Sequence, residues 1–326
     1  MKILAYSHRS DETQYFKEFS KKYKVEVELC EEEPTMETAD LAKGFQCISI
    51  ITTEISSELL KKFYQIGVKF ISTRTIGYDH IDIKESKKLG IHVGNVTYSP
   101  SSVADYTLMM VLMATRKMKA IMEYSSVQDY SLKGIQGKEL HNLTVGVIGT
   151  GRIGQTVIKR LSGFDCKIIA YDLYENEKIK QYAEYVALDE LFKDSDIITM
   201  HVPATEDNYH LINKNSIGNM KKGVFIINTA RGSLINTEDL IDGIEQKKIG
   251  GASLDVIEHE TNLYYNDLKC EILDNRQLAI LKSYPNVIVT PHTAFYTDQA
   301  VSDMVENSIL SCILFMEGKK NPWEVI

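Results

Sequence analysis

The residues best suited to chemistry fall into two sets. The first is a glycine turn. Thr144-Val145-Gly146-Val147-Ile148 leads directly into Gly149-Thr150-Gly151-Arg152-Ile153-Gly154, and a second apolar run, Lys167-Ile168-Ile169-Ala170-Tyr171, ends at Asp172. Strand, G-x-G-x-x-G, helix, strand and acid in this order form a dinucleotide-binding pattern. Gly149 permits the tight turn, Gly151 lets the backbone approach a diphosphate, and Gly154 lets the helix pack closely on the sheet. The helix N-terminus offers free N–H groups and the positive end of its dipole. Arg152 beside it can add a charged contact. Asp172, eighteen residues after Gly154, can accept hydrogen bonds from ribose hydroxyls and would repel a 2′-phosphate. No arginine follows it in Leu173-Tyr174-Glu175, so NAD is expected rather than NADP.

The second set consists of polar residues at the ends of predicted strands. These are His201-Val202-Pro203, Asn228-Thr229-Ala230-Arg231-Gly232 and Pro291-His292-Thr293-Ala294-Phe295. Leu254-Asp255-Val256-Ile257-Glu258-His259-Glu260 lies between the last two. A parallel sheet gathers its C-terminal strand ends along one edge, so Arg231, Glu260 and His292 can converge although far apart in sequence. A histidine suits proton delivery to a developing alkoxide near neutral pH. Glu260 bonded to it would fix the ring and stabilise its protonated form. The planar fork of Arg231 can hold a carboxylate or polarise a ketone. His201, also at a strand end, is the rival proton donor, and His259 would point elsewhere.

The elements that must position these groups follow from the hydrophobic pattern. Strands are expected at residues 2–5, 25–29, 47–51, 68–71 and 90–95, with helices at 12–22 and 57–65. A second series of strands is expected at 145–148, 167–171, 197–201, 224–228, 251–254 and 287–290. Repeated β-α-β with short connections implies an α/β fold built on parallel sheets covered by helices on both faces. Ser99 and Pro100 read as the cap and first turn of one long helix reaching about residue 122. Its wide, Met-rich apolar face suits a buried connecting helix or an oligomer contact. A last helix is expected at about 298–315. The glycine turn begins near residue 145 of 326. A dinucleotide domain spanning 100–296 is therefore expected to be inserted into a first domain made of 1–99 plus 297–326.

Composition sets the outer bounds. A length of 326 residues suits two domains, and 44% hydrophobic with 25% charged residues is the balance of a globular protein. A formal charge of −8 argues against nucleic acid or an anionic membrane as partner. The opening run Met1 to Tyr6 is broken by Ser7-His8-Arg9-Ser10, unlike an export signal, and no apolar run is long enough to span a membrane. Five scattered cysteines, Cys30, Cys47, Cys166, Cys270 and Cys312, form no C-x-x-C. Free thiols in a reducing cytoplasm, with no metal site, are the expectation.

Over nearly its whole length the chain resembles the D-specific 2-hydroxyacid dehydrogenase family. The resemblance rests on Thr73-Arg74-Thr75-Ile76-Gly77-Tyr78-Asp79-His80, on the glycine turn, and on Met220-Lys221-Lys222-Gly223 running to Asn228-Thr229-Ala230-Arg231-Gly232. Pro291-His292-Thr293-Ala294 completes it. Tyr98-Ser99-Pro100 and Thr290 to Thr297 are most similar to the D-lactate dehydrogenases within that family, including relatives in vancomycin-resistance operons. The resemblance implies two Rossmann-like doubly wound domains, a homodimer, and reversible reduction of pyruvate to D-lactate by NADH. The alternative is a bulkier 2-keto acid, such as 2-ketoisocaproate or phenylpyruvate. A non-enzymatic NAD-sensing scaffold, another role found on this fold, would not need the three polar residues retained here. The family's catalytic residues map onto Arg231, Glu260 and His292. Substrate contacts are implied at Ile76, Gly77, Tyr98 and Phe295. Cofactor contacts are implied at Gly149, Gly151, Arg152, Ile153, Gly154 and Asp172, and at Val202, Pro203, Asn208, Thr229, Ala230 and Asp255.

Overall fold

In the computed structural model of the chain, residues 1–260 and 263–326 are described, and they form two compact units. One comprises Met1–Ser99 with Tyr296–Ile326, the other Pro100–Phe295.

The first unit is a five-stranded parallel sheet. Its strands are β1 (Lys2–Ala5), β2 (Glu26–Leu29), β3 (Cys47–Ile50), β4 (Phe70–Thr73) and β5 (His92–Gly94), in the order β2-β1-β3-β4-β5. Helices α1 (Thr13–Tyr23), α2 (Ser57–Ile66) and α3 (Ile83–Leu89) connect them. Side chains alternate across each strand. Leu4, Ile48 and Ile50 therefore face α2, meeting Leu59, Leu60 and Phe63. Ile3, Ala5 and Cys47 face the other way, onto Phe16 and Phe19 of α1 and onto Val305, Ile309 and Cys312. Those last three belong to the C-terminal helix, Asp298–Met316, which covers the sheet that the N-terminal residues form. A polar network crosses this core. The Arg74 guanidinium, fully buried, donates from Nε to Glu12 Oε1 at 2.9 Å and from Nη1 to Ser49 Oγ at 2.9 Å. A buried charge is tolerated when paired and hydrogen-bonded in this way.

The second unit is a seven-stranded sheet in which every pairing is parallel. Its strands are β6 (Thr144–Ile148), β7 (Lys167–Tyr171), β8 (Glu184–Tyr185), β9 (Ile197–Met200), β10 (Val224–Asn228), β11 (Ile249–Leu254) and β12 (Val287–Val289). They run in the order β12-β11-β10-β9-β6-β7-β8. The chain reverses direction across the sheet at β6, which puts the switch point between β6 and β9, where such sheets bind dinucleotides. The helices are α4 (Ser101–Thr115), α5 (Met118–Ser126), α6 (Arg152–Leu161), α7 (Leu188–Asp194), α8 (Lys214–Asn219), α9 (Thr237–Glu245) and α10 (Arg276–Ser283). Residues of α4 and α6 close one face over Val145, Val147 and Ile227. Residues of α7, α8, α9 and α10 close the other over Ile198, Ile226 and Ala252. With both faces covered, β9 and β10 are buried along their whole length, which is why they read as continuous apolar runs.

Four details differ from the sequence reading. Pro100, not Ser99, occupies the capping position of the helix that follows, and α4 begins at Ser101. The long helix after Pro100 is two helices, α4 and α5, broken where Lys117 adopts a left-handed conformation at φ 55°. No glycine or proline marks that break; Lys117 Nζ is held by the Gly134 carbonyl at 2.8 Å. The two-residue strand β8 was not anticipated. Tyr296, assigned by pattern to the dinucleotide domain, belongs to the first unit, where its ring lies 5.6 Å from the Arg9 guanidinium. All five cysteines are free thiols. Among the described residues no helix is long and apolar enough to cross a membrane, and no cluster of three His, Cys, Asp or Glu side chains could hold a metal.

Candidate active site

The glycine turn sits where β6 passes into α6. Gly149 has φ 93°, open only to glycine without strain, and a Cβ there would stand 2.6 Å from the His201 carbonyl oxygen. At Gly154 a Cβ would fall 1.9 Å from the Gly149 carbonyl oxygen, so helix and turn are in backbone contact. At Gly151, which caps α6, a Cβ would meet no protein atom within 4 Å. The turn is closed on its protein side and open on the side of the helix N-terminus. That arrangement fits a diphosphate against the α6 N–H groups, with Arg152 and Ile153 in the first turn.

Asp172 follows β7, and its carboxylate is held in place by the turn itself. Its Oδ2 accepts from the Thr150 backbone N–H at 2.6 Å and from the Thr150 hydroxyl at 3.0 Å, while Oδ1 accepts from the Tyr174 N–H at 3.0 Å. The Tyr185 hydroxyl of β8 in turn donates to Thr150 Oγ1 at 2.9 Å. Sequence reasoning missed Thr150 and Tyr185. Thr150 was visible inside the motif as a hydroxyl between two glycines. Tyr185 left no signal, since β8 itself was not foreseen.

Along the same edge, Val202 and Pro203 follow β9. Asn208 closes the next loop, donating to the Pro203 carbonyl at 2.7 Å and accepting from the Thr205 N–H at 2.8 Å. After β10, the Thr229 hydroxyl meets that of Thr107 at 2.8 Å, and the Ala230 N–H donates to Asn228 Oδ1 at 3.0 Å. Arg231 begins the next turn, its Nη1 donating to the Ala230 carbonyl at 2.8 Å.

Asp255, after β11, is fully buried. Its Oδ1 accepts from the Thr290 hydroxyl at 2.6 Å and the Thr293 N–H at 2.9 Å, and its Oδ2 from the Ala294 N–H at 2.8 Å. The carboxylate expected at the cofactor is thus engaged in shaping the turn that carries His292. His292 itself sits at φ 53°, a conformation costly for a residue with a Cβ. Its N–H donates to the carbonyls of Asp255 at 2.8 Å and Thr290 at 3.0 Å, and the Tyr265 hydroxyl donates to its carbonyl at 2.8 Å. The surroundings hold a strained backbone so that the side chain points one way.

That side chain meets Glu260, with His292 Nδ1 2.8 Å from Glu260 Oε1. Glu260 Oε2 accepts from the Ile257 N–H at 3.3 Å. With Nδ1 on the carboxylate, Nε2 is the nitrogen turned to other chemistry. The Phe295 ring stands edge-on to the imidazole at 6.3 Å and the Tyr265 ring lies at 6.5 Å. The rival histidine is in a different state. Burial pushes His201 down to about 3, and its Nε2 rests 3.0 Å from the Thr199 hydroxyl. It is neutral across the physiological range and is no proton source there.

Ile76, Gly77 and Tyr98 belong to the first unit. The turn after β4 is braced from within: the Thr75 hydroxyl donates to the Gly77 carbonyl at 2.6 Å, and Asn95 Nδ2 donates to the Ile76 carbonyl at 2.8 Å. Tyr98 lies in the segment leading to α4.

Residues 108–294 match the family model described as D-isomer specific 2-hydroxyacid dehydrogenase, NAD binding domain. An aromatic 2-oxoacid reductase of Clostridium sporogenes is 49% identical over 314 residues, covering 95% of each chain. A D-specific alpha-keto acid dehydrogenase of Enterococcus faecalis is 45% identical, covering 97% of each. The crystal structure of a D-lactate dehydrogenase of Treponema pallidum superposes with a TM-score of 0.90 at 34% identity, over 100% of both chains. Two parallel doubly wound sheets, a dinucleotide turn at the switch point and a full-length likeness of this degree show that the chain belongs to the D-isomer specific 2-hydroxyacid dehydrogenase family, with NAD as its cofactor.

Proposed function

We propose that the chain is an NAD-dependent reductase of 2-oxo acids that yields D-2-hydroxy acids, with His292 as proton donor. The observation that carries this reading is the His292–Glu260 pair at 2.8 Å, held on a strained turn along the sheet edge that also bears the glycine turn. NADH, when bound, would supply the hydride that reduces the keto carbon. The keto oxygen then needs a proton, which His292 delivers from Nε2 while Glu260 holds the ring through Nδ1. Arg231 offers its guanidinium to the substrate carboxylate or to the keto oxygen, where negative charge grows in the transition state. Gly149, Gly151 and Gly154, with Arg152 and Ile153, take the diphosphate, and Asp172 takes the ribose hydroxyls. Val202, Pro203, Asn208, Thr229 and Ala230 form the remaining cofactor wall, and Asp255 acts through the His292 turn. In the first unit, the braced backbone at Ile76-Gly77 is assigned to carboxylate recognition, and Tyr98 to the substrate's surroundings.

For the substrate side chain, we favour a bulky or aromatic group. The aromatic 2-oxoacid reductase at 49% identity supports it, as do the Phe295 and Tyr265 rings flanking His292. Pyruvate, giving D-lactate, is the second reading, supported by the full-length likeness to a D-lactate dehydrogenase. Comparing kcat/KM for phenylpyruvate, 2-ketoisocaproate and pyruvate, with chiral analysis of the products, tests both. Phenylpyruvate is expected to exceed pyruvate by about tenfold or more, the range that a few buried methylenes command. Equal or inverted values would return the assignment to D-lactate, and an L product would contradict the family chemistry.

A homodimer in the cytoplasm completes the proposal. The exposed apolar side chains Met122, Val127, Tyr130 and Leu132, on α5 and the loop after it, offer the contact surface, and the five free thiols suit a reducing compartment. Light scattering of the purified protein checks the first part, and fractionation of the source cells the second.

A further inference from the structure

Arg231, Glu260 and His292 sit on three separate loops, after β10, β11 and β12, so the spacing between loops decides whether they act together. Two contacts join the first loop to the second. Gly232 lies so close to the neighbouring chain that a Cβ there would stand 2.0 Å from the Ile257 carbonyl oxygen. Next to Ile257, the Glu258 carboxylate reaches the start of α9: its Oε2 accepts from the Thr237 N–H at 2.9 Å and from the Thr237 hydroxyl at 2.7 Å.

The loop after β9 is tied in by the other oxygen. Glu258 Oε1 lies 2.6 Å from His210 Nε2, and His210 Nδ1 lies 3.2 Å from Asn236 Nδ2. Asn236 caps α9 by accepting the Asp239 N–H on its Oδ1 at 3.0 Å, which leaves its amide nitrogen facing His210. An amide nitrogen can only donate, so His210 accepts through Nδ1 and turns Nε2 to the Glu258 carboxylate. The Glu258 side chain is only 11% exposed. Burial alone would raise its carboxyl, but the hydrogen bonds from His210 and Thr237 outweigh that and hold it below the ordinary carboxylate value. Neither Glu258 nor His210 has a part in the reaction derived above.

We propose that Glu258 is a positioning residue, which with Thr237 and His210 clasps the Arg231 loop to the Glu260 loop and so sets the distance between anion clamp and proton donor. This inference rests on the roles proposed for Arg231, Glu260 and His292. A displacement of about 1 Å at a reacting group can cost about a hundredfold in rate. Cutting the clasp should therefore lower turnover and spare the cofactor site, which is built on β6, α6 and β7.

The test is Glu258→Ala and Glu258→Gln, assayed for kcat and KM and, separately, for NADH affinity by fluorescence titration. Glu258→Ala should lose about ten- to a hundredfold in kcat with the NADH Kd within about twofold of the parent. Glu258→Gln keeps an oxygen for Thr237 but presents an amide nitrogen to His210, so it should recover part of the loss. A Glu258→Ala kcat within about twofold of the parent overturns the proposal, as does a parallel fall in kcat and NADH affinity, or a glutamine variant no better than alanine. If Glu258→Ala does not fold, Thr237→Val removes one of the bonds and should lower kcat several-fold at unchanged NADH Kd; an unchanged kcat overturns the proposal. His292→Ala is run alongside. Turnover surviving in that variant removes the parent reading, whereas an inactive His292→Ala beside an unimpaired Glu258→Ala removes only the clasp.

Discussion

The glycine turn at 149–154 and the loops that carry Arg231, Glu260 and His292 stand on one sheet edge but are built on opposite principles. The turn is a backbone device. Its geometry follows from where a Cβ cannot go, as at Gly154, where one would fall 1.9 Å from the Gly149 carbonyl oxygen. The loops are a side-chain device. Asp255 shapes the His292 turn, Glu260 aims the ring, and Glu258 ties two loops together. The first needs one contiguous stretch of chain; the second needs three stretches that only the folded sheet brings together. Damage should accordingly show itself in different quantities, binding for the turn and turnover for the loops.

Three substitutions can break or sharpen that contrast. The largest effect is expected from Arg231→Lys, which keeps the charge but loses the planar fork. Its kcat/KM should fall by about a hundredfold or more, with the NADH Kd near that of the parent. A loss confined to NADH affinity would move Arg231 to the cofactor side. Gly154→Ala should act on the other device. The methyl overlaps the Gly149 backbone, so NADH binding should weaken about tenfold and stability fall by about 1–3 kcal/mol. Thermal melts with and without NADH check this, and an unaltered Kd would mean that the helix can shift without cost. Asp172→Ala should have the smallest effect, lowering the preference for NADH over NADPH several-fold at similar kcat. Unchanged selectivity would remove the ribose contact from the account.

The same contrast explains what was legible in the sequence. Strands β9 and β10 announce themselves because a sheet covered on both faces needs unbroken apolar runs. The glycine turn announces itself because Gly149 and Gly154 answer local steric demands, while Gly151 leaves the helix N-terminus open. Arg231, Glu260 and His292 stood out as reactive types at strand ends, but their partners did not. Glu258 and His210 are 48 residues apart, and no periodicity connects them. Asp255 is expected at the cofactor from the family resemblance; its three donors come from residues 290–294 and are visible only once the loops are traced. The break between α4 and α5 was hidden for a related reason. A left-handed lysine held by the distant Gly134 carbonyl is a tertiary choice.

The central claim is that His292 delivers the proton while the cofactor is held elsewhere. Measuring kcat and the NADH Kd on a single preparation of His292→Ala tests it most directly. Turnover should fall by about a thousandfold or more while the Kd stays within about twofold of the parent. A near-normal kcat would contradict the account, and so would turnover and NADH binding lost together.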